Sequence, residues 1–448
     1  MSNWLRESMI ARGDATAVCN AEGTWSYKSL VDRSDAWTSI LADVPPKAVV
    51  AFGGDYGPGT ISLLLALTWR GNVAVPLSRD VAAHHRDFAA IAQAEYWISS
   101  TDSTPEARAT GVTADHSFYA VLRDRQAPGL VLFSSGSTGT HKAAVHDLSR
   151  LLDKFKTPRP RLTTLVFLQL DHIGGINTLF HTLANGGTVV VAEARSPAAV
   201  CRAIARHRVE LLPTSPTFLN LLMLSEEHRR QDLSSLKVIT YGTEPMPEST
   251  LQRAVAEFPD VSLRQTYGLS ELGILRCQSR SADSLWVRVG GEGYETKVVD
   301  GRLWIRAHSA MLGYLNAPTP FAADGFFDTG DMVDLDGEWI RLRGRQSDII
   351  NVGGSKVYPA EVESVLLDLD NVADVSVSGE RNPITGQIVV ATIRLRRPEA
   401  ADAFKARMLE HCRPRLSAYK IPVRVRFTDG ELHSARFKRS RSAEHATR

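Results

Sequence analysis

Lys237-Val-Ile-Thr-Tyr241-Gly242-Thr243-Glu244-Pro245 and, further on, Ser262-Leu-Arg-Gln-Thr266-Tyr267-Gly268-Leu269-Ser270-Glu271 are the stretches on which the fold turns. Each reads as a short β-rich strand that breaks into glycine, hydroxyl and carboxylate residues at its carboxyl end. Two earlier stretches repeat the arrangement. Thr164 to Leu170 is an apolar run that stops at Asp171-His172-Ile173-Gly174-Gly175, and Val209 to Leu212 stops at Pro213-Thr214-Ser215-Pro216. In the second of these, Ser215 suits a helix N-cap and Pro216 its first turn. Strands alternating with helical segments predict an α/β protein with mostly parallel sheets. Open parallel sheets bind ligands at the carboxyl ends of their strands, where loops and helix amino termini converge. Four polar strand ends therefore predict one site assembled from several loops.

Working outward, the region from Pro359 reads helix (Pro359 to Leu367), strand (Ala373 to Ser378), turn (Asn382 to Gly386), strand (Ile388 to Leu395), helix (Ala400 to His411) and strand (Val423 to Phe427). That is a small α+β unit of about 100 residues, within the usual domain range. We place the boundary between residues 1–346 and 347–448. The chain has 448 residues, a net charge of +2 and 23% charged residues, which speaks against a nucleic-acid surface and against disorder. The longest apolar run, Ile61 to Leu67, suits a core and is far short of a membrane helix. The start, Met1-Ser-Asn-Trp-Leu-Arg-Glu, has an acid where a signal peptide would be apolar. Four scattered cysteines suggest neither zinc nor disulfides. A cytoplasmic protein is the expectation.

Four motifs carry chemistry. In Leu130-Val-Leu-Phe-Ser134-Ser135-Gly136-Ser137-Thr138-Gly139-Thr-His-Lys142 a strand runs into glycines and hydroxyls closed by a lysine. Glycines admit phosphate oxygens close to the backbone, hydroxyls and N–H groups donate to them, and the lysine adds a point charge. Walker A spacing is absent. In Gln265 to Glu271, Tyr267 offers a stacking face, Ser270 a phosphate donor and Glu271 a carboxylate for Mg²⁺. Asp324 to Asp331, followed by Gly337 to Arg345, reads equally as a hairpin rich in Asp and Gly and as a source of an acceptor-only carboxylate for a ribose diol. Finally, Phe437-Lys438-Arg439-Ser440-Arg441 is basic, which by itself describes an ordinary solvated tail.

Taken together and in this order, the motifs resemble the adenylate-forming superfamily: acyl- and aryl-CoA synthetases, adenylation domains of peptide synthetases, and firefly luciferase. The resemblance runs from Trp25-Ser-Tyr27 to Arg441. It implies a large amino-terminal domain, a small mobile carboxyl-terminal lid and an active site between them. It further implies that Ser134 to Lys142 hold the β,γ-phosphates of ATP, that Gly242, Thr243 and Glu244 flank adenine, and that Tyr267 stacks on it. Ser270 falls on the α-phosphate, Glu271 on Mg²⁺, Asp331 on the ribose diol with Arg345 as its partner. Lys438 falls where the family's late lysine bridges carboxylate and α-phosphate. Ser347 takes the hinge position, and Gly353-Gly354 resembles the loop lining the pantetheine tunnel. His172, with Asp171, Gly174, Gly242, Gly268 and Gly273, is expected at the acid pocket; a helix-capping role for His172 competes with that reading.

This chain departs from the pattern in three places. His141 replaces the usual Pro of the phosphate loop, Ser347 replaces the usual hinge Asp or Lys, and Leu432-His-Ser-Ala-Arg-Phe-Lys438 stands where many members have Pro-Arg-Thr and then Gly-Lys. The implied reaction is adenylation of a small aromatic or medium acyl acid, then transfer to a thiol, most readily of CoA. Three alternatives stand beside it: loading of a carrier protein's phosphopantetheine, use of an unusual acid or nucleophile (amide or N–N bond formation) in a biosynthetic pathway, and a non-catalytic nucleotide-binding relative.

Overall fold

The computed structural model describes residues 4–99, 105–135, 141–434 and 437–439. The predicted strand ends fall in one seven-stranded sheet, in the order Ser262–Gln265, Val238–Tyr241, Leu211–Thr214, Thr163–Leu165, Thr188–Val190, Thr16–Cys19, Thr24–Ser26. Its pairings are parallel except for the last, antiparallel strand. The run from Thr164 to Leu170 forms a shorter strand than expected. Its neighbour Thr188–Val190 is itself three residues long, and Leu211 pairs only with Thr164, so the ladder ends at Leu165. The Ser215 cap is realised: its hydroxyl accepts from the Phe218 N–H, with Pro216 in the first turn.

A second seven-stranded sheet has Gly129–Ser135 near its middle, returning antiparallel as His141–Asp147, with Val73–Leu77 and Val49–Gly53 parallel beside it. Between the two sheets lie the helices Tyr27–Ile40, Pro58–Arg70 and Ile173–Ala184, which share one core with Val18, Val50, Phe52, Leu130 and Val189. Pro58–Arg70 is buried along nearly its whole length. A helix covered on all sides has no polar face to keep, which explains the uninterrupted Ile61 to Leu67 run.

An antiparallel six-stranded sheet follows, in which Phe327–Asp336 and Trp339–Arg345 form the hairpin anticipated from Asp and Gly. After it, Ser355–Val357, Ile350–Val352, Gly386–Leu395, Val372–Asn382 and Arg424–Phe427 make a five-stranded sheet. Helices Pro359–Leu367 and Ala401–Cys412 pack on it around a separate core that includes Val362, Leu366, Val375, Ile393, Phe404 and Met408. Deep in this unit, Arg439 (6% exposed) lies 3.3 Å from Asp374 Oδ1 and 3.9 Å from Glu363 Oε2, both acids being 2% exposed. The last described residues are thus tied to the body of the small unit by a buried ionic group.

Candidate active site

A cavity of about 920 Å³ opens at the carboxyl ends of the first sheet and is closed by the hairpin Phe327–Arg345 and by Lys438 and Arg439. Pro213, Thr214, Thr240, Gly242 and Thr266 line it at or near consecutive strand ends, as the sequence pattern predicts. Of the predicted site residues, Ser134, Lys142, His172, Gly174, Gly242, Thr243, Glu244, Tyr267, Gly268, Ser270, Glu271, Asp331, Arg345 and Lys438 all face this one space.

The site's carboxylates are individually held. Asp331 and Arg345 are register partners across the hairpin, with Arg345 Nε 3.3 Å from Asp331 Oδ1. The Tyr267 hydroxyl donates to Asp331 Oδ2 at 2.6 Å. Burial raises the Asp331 carboxyl above the ordinary range, and the Arg345 guanidinium opposes that rise. Burial and the adjoining Asp331 carboxylate likewise push the Tyr267 phenol well up, so it remains a hydrogen-bond donor. Glu271 accepts from the Tyr314 hydroxyl, and Lys142 Nζ lies 5.3 Å over the Tyr314 ring. Ser134 and Lys142 face each other in the antiparallel ladder.

Glu244 has a role that its motif did not announce. Its Oε1 accepts from the Thr217 N–H at 2.8 Å and its Oε2 from the Arg439 N–H at 3.0 Å. One carboxylate therefore joins a helix amino terminus of the large unit to the segment that carries Lys438. Sequence reasoning also missed Tyr314, which sits on a two-residue strand against His141–Asp147, and Asp348, which lines the cavity.

Helix Ile173–Ala184 forms one wall. Ile173, Gly174, Asn177, Thr178 and His181 recur at helical spacing along the cavity, which Leu168, Leu269 and Ile274 also line. His172 does two things: it lines the cavity, and its Nδ1 accepts from the Gly174 N–H at 3.1 Å, capping the helix. Behind this wall Lys154 donates to the Ile274 carbonyl at 2.6 Å; burial, chiefly, pushes its pKa down to about 7. His181 is lowered to about 4, by burial first and by Lys154 and Arg159 next, and so is neutral near pH 7.

Two expectations are corrected. Asp171 is 4% exposed and outside the cavity lining; its carboxylate accepts from the Ser78 hydroxyl at 2.7 Å and from the Ser78 N–H at 3.3 Å, joining the two large sheets. Gly273 is also outside the lining. It turns the Tyr267–Leu269 and Gly273–Leu275 hairpin with φ of 83°, facing Leu151 and Ser309. Ser347 is exposed in a short turn with its hydroxyl 3.0 Å from Asp348 Oδ1. Gly353 and Gly354 make an exposed turn, with φ of 55° and 85°, away from the cavity. Gly136, Ser137, Thr138 and Gly139 lie outside the described residues, as does the side chain of Ser135.

Comparison with known proteins places the chain in a family. The chain is 28% identical to the indoleacetate–CoA ligase of Aromatoleum aromaticum, over 96% of this chain and 94% of that relative. Its fold matches the o-succinylbenzoate CoA synthetase MenE of Bacillus subtilis in complex with the acyl-adenylate intermediate OSB-AMP, with a TM-score of 0.80 and 23% identity over 100% of this chain and 99% of that one. It also matches the amide bond synthetase McbA of Marinactinospora thermotolerans, with a TM-score of 0.76 and 23% identity over 99% and 98% of the two chains. The family model described as AMP-binding enzyme matches residues 5–315, and that of the AMP-binding enzyme C-terminal domain matches residues 361–438. With the two models together spanning most of its length, the chain belongs to the family of AMP-binding, adenylate-forming enzymes.

Proposed function

We propose that the protein adenylates a small aromatic or medium acyl acid with ATP and then passes the acyl group to a thiol, that of CoA. One observation carries the reading: the nucleotide-side residues Lys142, Tyr267, Asp331 and Arg345, the acid-side wall of His172, Asn177 and His181, and Lys438 share a single cavity.

In the first step a carboxylate oxygen of the acid attacks the α-phosphorus of ATP. The new P–O bond forms as the bond to pyrophosphate breaks, and the electron pair leaves on pyrophosphate. Little covalent help is needed, so the chain contributes position and charge. Asp331 accepts the ribose hydroxyls, with Arg345 and Tyr267 fixing its plane. Tyr267 offers its ring to adenine, and Gly242 and Thr243 leave the base room. Ser134 and Lys142 take the outer phosphates, together with Ser135, Gly136, Ser137, Thr138 and Gly139. Ser270 donates to the α-phosphate. Lys438 faces both anions; two unit charges 4 Å apart repel by roughly 4 kcal/mol at an effective dielectric of 20, so a cation between them is required.

Mg²⁺ fits the donors present. No cluster of three or more His, Cys, Asp or Glu able to hold a metal occurs among the described residues, and Mg²⁺ characteristically takes one or two carboxylates plus substrate phosphates and water. Glu271 would hold it with the phosphates, and Tyr314 orients Glu271 by its hydroxyl. When bound, the ion supplies charge neutralisation at the phosphates.

For the second step we assign residues 347–448 as a lid turning at Ser347. Lys438 withdraws and Gly353-Gly354 lines the path of the thiol. The sulfur attacks the acyl carbonyl, the C–O bond to AMP breaks, and AMP leaves. Transfer to an amine is a second reading, supported by the likeness in fold to a protein described as an amide bond synthetase.

An acid library assayed for ATP-dependent pyrophosphate and AMP release tests the first step, and product mass with CoA, a carrier protein or amines tests the second. Formation of ADP, or pyrophosphate release independent of any acid, refutes the adenylation reading.

A further inference from the structure

We propose that Phe437 is a positioning residue: an aromatic anchor that docks in the large unit and thereby sets Lys438 in the cavity for adenylation. The inference rests on the adenylation reading above and goes beyond it by assigning what holds the lysine in place.

The segment around Phe437 is a tight turn. The Ser434 N–H donates to the Lys438 carbonyl at 2.9 Å, the Phe437 N–H donates to the Ser434 carbonyl at 2.8 Å, and His433 pairs with Arg439 across the turn. Two adjacent residues are presented in different directions. Lys438 faces the active cavity, whereas Phe437 packs on the core of the large unit. There its ring meets Phe167 at 5.3 Å, and Phe218 edge-on at 5.1 Å with an interplanar angle of 79°. His433 stacks on it at 5.0 Å, and Arg195 approaches at 5.9 Å. The Ser215 hydroxyl donates to the Phe437 carbonyl at 2.8 Å, so the same residue caps a helix and fastens this turn.

Phe437 holds this position in a conformation that favours glycine, with φ of 51°. An L side chain is disfavoured there, and glycine would make the turn with less strain. The ring's packing against Phe167 and Phe218 offsets that strain, which gives the residue a use that backbone geometry alone does not. The anchor is also built to release. The ring is only partly buried, and it borders a second cavity of about 640 Å³ lined by Arg195, Arg394, Glu431 and His433. The ring sits at the edge of the core cluster, over the fully buried Phe218, and is not itself part of the cluster's buried interior.

Replacement therefore separates the two half-reactions. Phe437→Gly keeps the turn's backbone preference and removes the ring; Phe437→Leu keeps apolar volume without the aromatic faces. For Phe437→Gly the turnover of acid-dependent pyrophosphate exchange into ATP is expected to fall about tenfold to a hundredfold, the factor that loss of a partly buried aromatic contact implies. The KM for ATP should change by less than about threefold, because uniform nucleotide binding is untouched. Transfer of acyl from preformed adenylate to CoA, measured by rapid quench, should be as fast as in the parent or faster. Phe437→Leu should recover part of the exchange rate. Wild-type exchange in both variants, or an equal slowing of both half-reactions, overturns the proposal. Lys438→Ala, assayed in parallel, separates the layers: if its exchange is unimpaired, the lysine assignment fails, whereas if it is impaired and Phe437→Gly exchanges at the wild-type rate, only the anchor fails.

Discussion

Replacing Asp331 by Asn tests the nucleotide pose most directly. A carboxylate offers two oxygens with about four acceptor sites. Tyr267 occupies one site on Oδ2, and Arg345 lies 3.3 Å from Oδ1. That leaves one site on each oxygen, which matches the two hydroxyls of a ribose diol. Asn keeps an acceptor for one hydroxyl and turns an N–H₂ toward the other, with the negative charge gone. Hydrogen bonds to charged groups contribute about 1.5–3 kcal/mol each, and each 1.4 kcal/mol is a factor of ten. Asp331→Asn should raise the KM for ATP by roughly 10- to 100-fold. The diol is bound alike before and during phosphoryl chemistry, so kcat should change little. The assay is acid-dependent pyrophosphate exchange with ATP and with 2′-deoxy-ATP. The parent should discriminate against the deoxynucleotide, and Asp331→Asn should lose most of that discrimination. An unchanged KM, or a variant that discriminates as well as the parent, refutes the pose.

Other outcomes follow from the same geometry. Lys438→Ala should slow adenylate formation by about a hundredfold or more, the scale of losing a transition-state charge contact, with the KM for ATP nearly unchanged in the same exchange assay. Arg439→Met removes the buried cation beside Asp374 and Glu363 and should destabilise the small unit by about 3–5 kcal/mol in urea unfolding. The Lys154 pKa is depressed from 10.5 to about 7, so the folded state binds fewer protons than the unfolded one between those values and stability rises with pH across that window, while below it the full penalty stands. Lys154→Met should therefore be the more stable protein near about pH 6, by a few kcal/mol at most, with the gap narrowing toward about pH 10, as read from unfolding curves at the two pH values.

Local signals made much of this legible. Breaks from β-rich runs to Gly, Ser and Glu located four strand ends, and these lie side by side because parallel strands share a polarity. The Ser215-Pro216 pair marked a helix start through capping chemistry that needs no tertiary information. The resemblance already paired Asp331 with Arg345, and the hairpin makes them opposite neighbours. What escaped was decided by packing between distant segments. Asp171 looked like a site acid because it stands at a strand end, yet Ser78, from the other large sheet, takes its carboxylate. Tyr314 carries no motif of its own and reaches Glu271 only because its short strand joins the edge of the second sheet. In Glu244 the motif was visible, but not its bond to the Arg439 N–H, which depends on where the small unit rests.

That resting place has an uneven chemistry. Where helices Glu248–Glu257 and Pro359–Leu367 meet, the Ser249 hydroxyl donates to the Ser364 carbonyl at 3.1 Å. Near the cavity the contacts are Glu244 with the Arg439 N–H and Ser215 with the Phe437 carbonyl. Such groups exchange one hydrogen-bond partner for water when two units part, so each contributes a modest net amount to holding them. The small unit keeps its own apolar core, and polar seams of this kind favour relative motion. Phe437 differs in kind, because its ring joins the apolar cluster of the other unit and water cannot replace that contact. The seam is polar at these points and apolar at Phe437, so that ring favours the docked position of the small unit. On the proposed adenylation reading, that side chain adjoins the lysine whose charge the first step needs, so docking and charge placement are coupled at neighbouring residues.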